Sequence, residues 1–427
     1  MPQIFPLGYG TSSFDVDLGG VDVLAVLQPR HVDSAGPSAE LIAGALQSPI
    51  GSPPLAEVAS GARTAAILVS GKDRVTGAET FMHPLVEALL RAGVPKDGIT
   101  VFMATGTHIP FRAGDRDRVL GPDLDPAVRV VGHDCEDVGG HVDLGPTSLG
   151  NQVVVNRAAY EHDVKVLTGR ITHHYFAGFT AGRKAVLPGV SARSTIEFNH
   201  RLVMSGANGH PRHPMARNGQ LEGNPIHEDM LEGARLFEPT FVLNTVVDTG
   251  ARVTHAFGGD PYQAHAEGCQ VVADLFEVPI DRPAELVVGS PGGDPYDCSF
   301  VQALKTLMNT HEAVADGGAY LLLAECPEGI KPEFLAWDRH AAQDQLAHMV
   351  RTHYNLTGHN TWLLREILER ITVVLVSSCP QGEVGLLGLQ PASTWREGLD
   401  LALRAVGTST PSTHVVPFGN VTVVRPP

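Results

Sequence analysis

The sequence predicts an α/β protein of two domains with mainly parallel sheets and an active-site cleft between them. Three observations carry this expectation. A chain of 427 residues is long for a single core. Short β-branched runs alternate with helix-like stretches through both halves, the rhythm of strand–helix–strand units. Between the halves, FEVPIDRPAE (276–285) reads as a linker, with two prolines and a charge cluster.

In order along the chain, TAAILVSG (64–71), ITVFMATG (99–106), VRVVGHD (128–134) and DVKVLTG (163–169) read as buried strands. HPLVEALLRAG (83–93) has helical spacing and a terminal glycine. PTFVLNTVVD (239–248) adds a strand and DPYQAHAEGCQVVADLF (260–276) a long helix. After the linker come ELVVGS (285–290), FVQALKTLMNTHEAV (300–314), AYLLLAEC (319–326), WLLREILERI (362–371) and TVVLVSS (372–378), a second strand–helix series. The expected division is 1–278, 279–407 and a tail, 408–427, whose NVTVVRPP strand packs on either domain, the first being the expectation.

Composition narrows the function. A formal charge of −16 argues against nucleic acid or an anionic membrane as partner, because phosphates are repelled on balance. Five scattered cysteines without a CxxC pair exclude a zinc ribbon and suit a reducing cytoplasm. The start has no signal-peptide pattern and no apolar run is long enough to span a bilayer. Twenty histidines is a high count, and it raises the expectation of metal or proton-transfer chemistry.

Ligands of open α/β sheets collect beyond the carboxyl ends of strands. One such loop holds Ser70, Gly71, Lys72, Asp73 and Arg74; its backbone N–H groups and Lys72 suit a phosphate. A second ends in His108, where a histidine also serves as an ordinary turn residue. A third is Pro291-Gly292-Gly293-Asp294. Neither GxxxxGK[ST] nor a well-placed GxGxxG occurs, so nucleoside triphosphate and ordinary dinucleotide binding are not indicated. The stretch HHYFAGFTAGRKAVLPG (173–189) fits no strand or helix period. In it, His173 reads as a packing residue and His174 as the functional one. Gly178 and Gly182 allow backbone to approach a bulky ligand. Lys184 is either solvated or an amine poised for covalent attachment. His200 is unremarkable alone.

Together these residues resemble the nickel-pincer lactate racemase family. The resemblance rests on H-x-x-A-G-F-T-x-G-x-K-A-x-L-P-G from His174 to Gly189, on TGTH ending in His108 and on His200 beyond the lysine. LGYGTSSFDVDL near the start and GGDPYD followed by Gln302-Ala-Leu-Lys305 extend it over nearly the whole chain. It implies an isomerase bearing a pyridinium-3-thioamide-5-thiocarboxylic acid mononucleotide covalently on Lys184. Ni(II) would be held by one carbon and two sulfurs of that group with His200 as fourth ligand, and cofactor-biosynthesis proteins would be needed for maturation. The implied reaction inverts C2 of a 2-hydroxy acid by reversible hydride transfer through a 2-keto acid. His108 and His174 would exchange the hydroxyl proton on opposite faces, and Arg74, Gln302 and Lys305 would hold the carboxylate.

Two positions depart from the family pattern. The loop reads Gly71-Lys72-Asp73-Arg74-Val75 where Asp-Lys-Thr-Arg-Pro is frequent, and Val301 stands where lactate-type members often have tyrosine before the glutamine. Loss of a hydroxyl leaves a more apolar pocket wall, which favours a short aliphatic substrate, lactate or a close homologue. The alternatives are the same chemistry on malate, an aromatic or a sugar acid, a pyridoxal-phosphate lysine enzyme, and a non-catalytic cofactor carrier.

Overall fold

The computed structural model describes residues 3–30, 36–72, 74–108, 110–206, 211–337, 342–354 and 356–427. It has two α/β domains, one of residues 32–274 and one of residues 1–31 with 275–427.

The domain of residues 32–274 is built on a six-stranded sheet. Its order is Val253–Gly259, Phe241–Val247, Val164–Arg170, Ala65–Val69, Ile99–Met103, Arg129–Gly132. All pairs are parallel except the edge pair Phe241–Val247 and Val253–Gly259. Every side chain of Ala65–Val69 and Ile99–Met103 is buried, as expected of strands covered on both faces. The helix Ala78–Arg91 buries Phe81, Met82, Leu85 and Leu89 against this sheet's core. It begins five residues before the expected start, because its apolar face continues through Ala78 and Phe81 on the N-terminal side of Pro84. Each fully buried Leu or Phe of this kind contributes roughly 1.5–3 kcal/mol.

The second sheet is wholly parallel, in the order Gln390–Ala392, Thr372–Val376, Val314–Leu323, Ala284–Gly289, Ser412–Val416, Asp22–Val26. The division expected from the sequence therefore needs correction at both ends. Residues 1–31 do not open the first domain. Asp22–Val26 is the edge strand of the second sheet, and the amide of Gly10, at the turn of the hairpin Ile4–Tyr9 with Ser12–Asp17, donates to the buried Asp297 carboxylate at 2.8 Å. Nor does the tail pack back on the first domain. Ser412–Val416, four of its five residues buried, lies between Ala284–Gly289 and Asp22–Val26. The expected linker contains a strand, Glu277–Pro279, which pairs with Val423–Arg425. Local pattern shows that a segment is a strand; which sheet it joins is a matter of topology. Among the described residues no helix is long and apolar enough to cross a membrane.

Candidate active site

In the domain of residues 32–274 the predicted residues form two groups. The first lies at the carboxyl ends of adjacent parallel strands. Ala65–Val69 runs into Ser70, Gly71 and Lys72, and Ile99–Met103 into the turn that ends in His108. Arg74 Nη2 stands 3.2 Å from His108 Nε2. A guanidinium only donates, so His108 Nε2 accepts and the neutral ring carries its proton on Nδ1. Lys72 lies between both oxygens of Asp115, each at 3.1 Å, and this hydrogen-bonded pairing holds the Asp115 carboxyl below the usual carboxylate range. The lysine assigned to a phosphate is thus already paired with a carboxylate that the sequence did not single out. Asp73 lies outside the described residues.

The second group surrounds one ring. Phe176, 1% exposed, has its centroid 4.4 Å from that of His174 at right angles and 5.2 Å from that of His200. Lys184 Nζ lies 5.7 Å from the same centroid, within cation–π range. Three residues spread over 27 positions of sequence thus share a buried phenylalanine, which sequence reasoning had passed over. It falls on an unspecified position of the motif, two residues beyond His174, so the motif gave no signal for it.

Local structure explains how the stretch 173–189 achieves this. His173–His174 pairs with Gly178–Phe179 in a two-residue antiparallel hairpin. His173 is buried, with its ring 4.9 Å from Phe179, while His174 is half-buried. The Ala177 amide donates to His174 Nδ1 at 3.3 Å. Arg183, 2% exposed, donates to the carbonyls of Ala177 at 2.8 Å and Phe179 at 3.0 Å, and so ties the hairpin to the turn Gly182–Ala185 that carries Lys184. Burial pulls its guanidinium down to about 10.

Gly178 (φ 76°) is pressed against the Gln220 carbonyl, where a Cβ would lie 2.3 Å from the oxygen; Gly182 (φ 50°) is pressed against the His265 ring, at 2.6 Å. Both allow close approach of the backbone to other parts of the protein.

His200, 7% exposed, sits on the helix Arg193–Arg201 with Nδ1 3.1 Å from Asn199 Oδ1. Asn244 of the strand Phe241–Val247 is fully buried, and among the described residues neither its amide nitrogen nor its oxygen has a hydrogen-bond partner. It is in register with Gly169, whose would-be Cβ meets Ala181 at 3.1 Å, so its side chain lies on the face covered by the start of the Lys184 turn.

In the other domain, Gln302 and Lys305 lie half-buried on the helix Phe300–Thr310, three residues apart and so on one face. Lys305 Nζ donates to Gln302 Oε1 at 2.6 Å, which turns the Gln302 amide so that its NH2 is the donor left to present. Val301 is half-buried and packs partly against that domain's core.

A two-domain α/β fold with histidines, a half-buried lysine and cationic side chains at strand ends describes an enzyme. Models of the lactate racemase N-terminal domain and the lactate racemase C-terminal domain match residues 9–210 and 280–424. The chain belongs to the lactate racemase family and is an isomerase of the racemase class. It is 29% identical to a lactate racemase from Thermoanaerobacterium thermosaccharolyticum over 98% of each chain. It is 32% identical to one from Lactiplantibacillus plantarum over 68% of this chain and 66% of that one. The lactate racemase apoprotein structure from T. thermosaccharolyticum superposes with a TM-score of 0.90 at 28% identity, covering 99% of this chain and all of that one. A Thermotoga maritima protein with TM-score 0.70 and 17% identity, covering 92% of this chain and 99% of that one, shares the fold.

Proposed function

We propose that the protein racemises a short aliphatic 2-hydroxy acid, lactate or a homologue one or two carbons longer, with a nickel-pincer nucleotide on Lys184. The observation that carries this reading is the gathering of His174, Lys184 and His200 around Phe176. The residues fit the group. Lys184 offers an amine beside the ring, and His200 offers an imidazole nitrogen, a donor suited to Ni(II). Among the described residues no group of three His, Cys, Asp or Glu is placed to hold a metal; the remaining donors to a metal on His200 would be the carbon and sulfurs of the cofactor. Asn244, with both amide atoms unpartnered among the described residues, suits a polar occupant near the Lys184 turn.

When bound, the cofactor supplies a site that takes the C2 hydride and returns it to either face of a planar 2-keto acid. The chain's own residues do the rest. His108 Nε2, set as an acceptor by its own geometry, takes the hydroxyl proton of one enantiomer; His174 serves the other face. An imidazole with an ordinary pKa of ~6.5 gives and takes a proton near neutrality. Arg74, Lys305 and the NH2 of Gln302 anchor the carboxylate and favour charge on the developing carbonyl oxygen. Loading would require cofactor-biosynthesis proteins, and a reducing cytoplasm suits the five cysteines, all of them free thiols.

The test is protein co-expressed with those biosynthetic enzymes. Intact mass should show an adduct, peptide mapping should place it on Lys184, metal analysis should give about one nickel per chain, and the sample should interconvert the lactate enantiomers. An adduct on another lysine, or racemisation without nickel, overturns the assignment. Malate or an aromatic 2-hydroxy acid preferred tenfold in kcat/KM, about 1.4 kcal/mol, overturns the substrate class alone.

A further inference from the structure

We propose that Asn199, itself oriented by the buried Asp229, is a positioning residue that fixes the tautomer of His200 and keeps its Nε2 lone pair for the metal. Asn199 and Asp229 are fully buried, and they lie on the helices Arg193–Arg201 and Pro225–Phe237. Asn199 Nδ2 donates to the Ile226 carbonyl at 3.0 Å and to Asp229 Oδ2 at 2.9 Å. Those two bonds use both of its N–H groups. A reversed amide would set its oxygen against a carbonyl and a carboxylate, two acceptor–acceptor contacts in a buried site. The orientation of the amide is therefore dictated by chemistry.

Asp229 is itself held. Its Oδ1 accepts from Thr147 Oγ1 at 2.6 Å and its Oδ2 from Asn151 Nδ2 at 2.7 Å. Asn151 is fixed in turn by a bond from Nδ2 to the Thr195 carbonyl at 3.1 Å and by its amide donating to Thr147 Oγ1 at 3.1 Å. The loop before the strand Gln152–Asn156 thus sets the carboxylate, the carboxylate sets the amide, and Asn199 Oδ1 is left facing His200 Nδ1 at 3.1 Å. An amide oxygen only accepts, so Nδ1 carries the proton and Nε2 the lone pair. A metal-bound imidazole needs that arrangement, and partners of this kind commonly change metal affinity 10–100-fold. Asparagine suits the position better than aspartate, which would stand as a second carboxylate against Asp229.

The metal half of this proposal rests on the function proposed above; the tautomer half does not. The experiment separates them. Apoprotein labelled with 15N-histidine, with His200 assigned by His200→Gln, reports the tautomer from two-bond 1H–15N couplings. Wild type should show Nδ1–H and unprotonated Nε2. Asn199→Ala should move the ring towards the Nε2–H form, while Asp229→Asn, which retains an oxygen to accept from Asn199, should keep the wild-type pattern. In matured holoprotein, Asn199→Ala should lose nickel to a chelator at least ten times faster (order of magnitude), with the mass of the Lys184 adduct unchanged. An Nε2–H ring in wild type overturns the proposal without any variant. An unchanged tautomer in Asn199→Ala, or a changed tautomer with unchanged nickel loss, overturns it too. Wild-type protein that matures without nickel removes the metal reading of His200, and the spectra still decide the tautomer.

Discussion

The Phe176 cluster and the Arg74–His108 pair place histidines and cations together in opposite surroundings. Around Phe176 the contacts are ring faces and a buried hydrogen-bond relay, with His200 7% exposed. At the strand ends His108 is exposed and Arg74 half-buried, so their 3.2 Å contact meets water. The first group depends on shape and on buried hydrogen bonds, because a lost partner in a buried site exposes the full desolvation cost. The second depends on charge in a high dielectric, where pairing is weak and readily exchanged for a ligand. One group suits a permanent attachment; the other suits a substrate that must leave.

The contrast breaks first at the tether. Lys184→Ala should abolish adduct, nickel and racemisation together while the melting temperature stays close to wild type, since the lysine is half-buried. Retained adduct by intact mass would show that the attachment lies elsewhere. His108→Ala should come next, lowering the rate by ~10²–10⁴ with adduct and nickel intact. Equal racemisation by wild type and His108→Ala in a chiral lactate assay would take the exposed pair out of the chemistry.

Arg183 sharpens the comparison. Its guanidinium is lowered from 12.5 to about 10 by burial, a cost of roughly 3 kcal/mol at 1.4 kcal/mol per unit. Arg183→Met removes that cost and leaves two carbonyls short of a donor, at roughly 1–3 kcal/mol each. The two effects offset, so stability in a urea titration should change by no more than about 2–3 kcal/mol. The hairpin that carries His174 loses its tie, and the racemisation rate should fall more than tenfold. A large stability loss with full activity would reverse this ranking.

Acid should weaken the domain of residues 32–274. Burial lowers His133 to about 4, His265 to about 3 and His227 to about 2. The unfolded chain binds these protons from about pH 6.5 downward and the folded one does not. Stability is therefore complete above pH 6.5 and falls as pH drops toward 4, by up to ~1.4 kcal/mol per pH unit for each group. Melting curves between pH 7.5 and 5 should show it, and a flat profile would mean these rings titrate in the folded state. The smallest effect concerns salt. Raising ionic strength from 0.05 to 0.5 M, roughly the range over which screening shortens below 10 Å, should raise KM for lactate several-fold and leave nickel content unchanged.

Much of this was legible in the sequence. The strands Ala65–Val69, Ile99–Met103 and Thr372–Val376 announce themselves as unbroken β-branched or apolar runs. His108, His174, Lys184 and His200 were singled out by motif, and three of them share one aromatic ring in the structure. That Gly178 meets the Gln220 carbonyl and Gly182 the His265 ring was not legible, because a sequence shows that backbone comes close to something without showing to what.

By itself, then, the sequence determined the elements, the two-domain α/β class and the chemical inventory of the site, since hydrophobic period, turn residues and side-chain chemistry are local properties. Tertiary structure alone decided that Asp22–Val26 joins Ser412–Val416 across nearly the whole chain, that Phe176 is the hub, and that Asn199 answers to Asp229 thirty residues away. Such pairings satisfy buried donors and acceptors or complete a sheet, and only the folded topology fixes which partners come within reach.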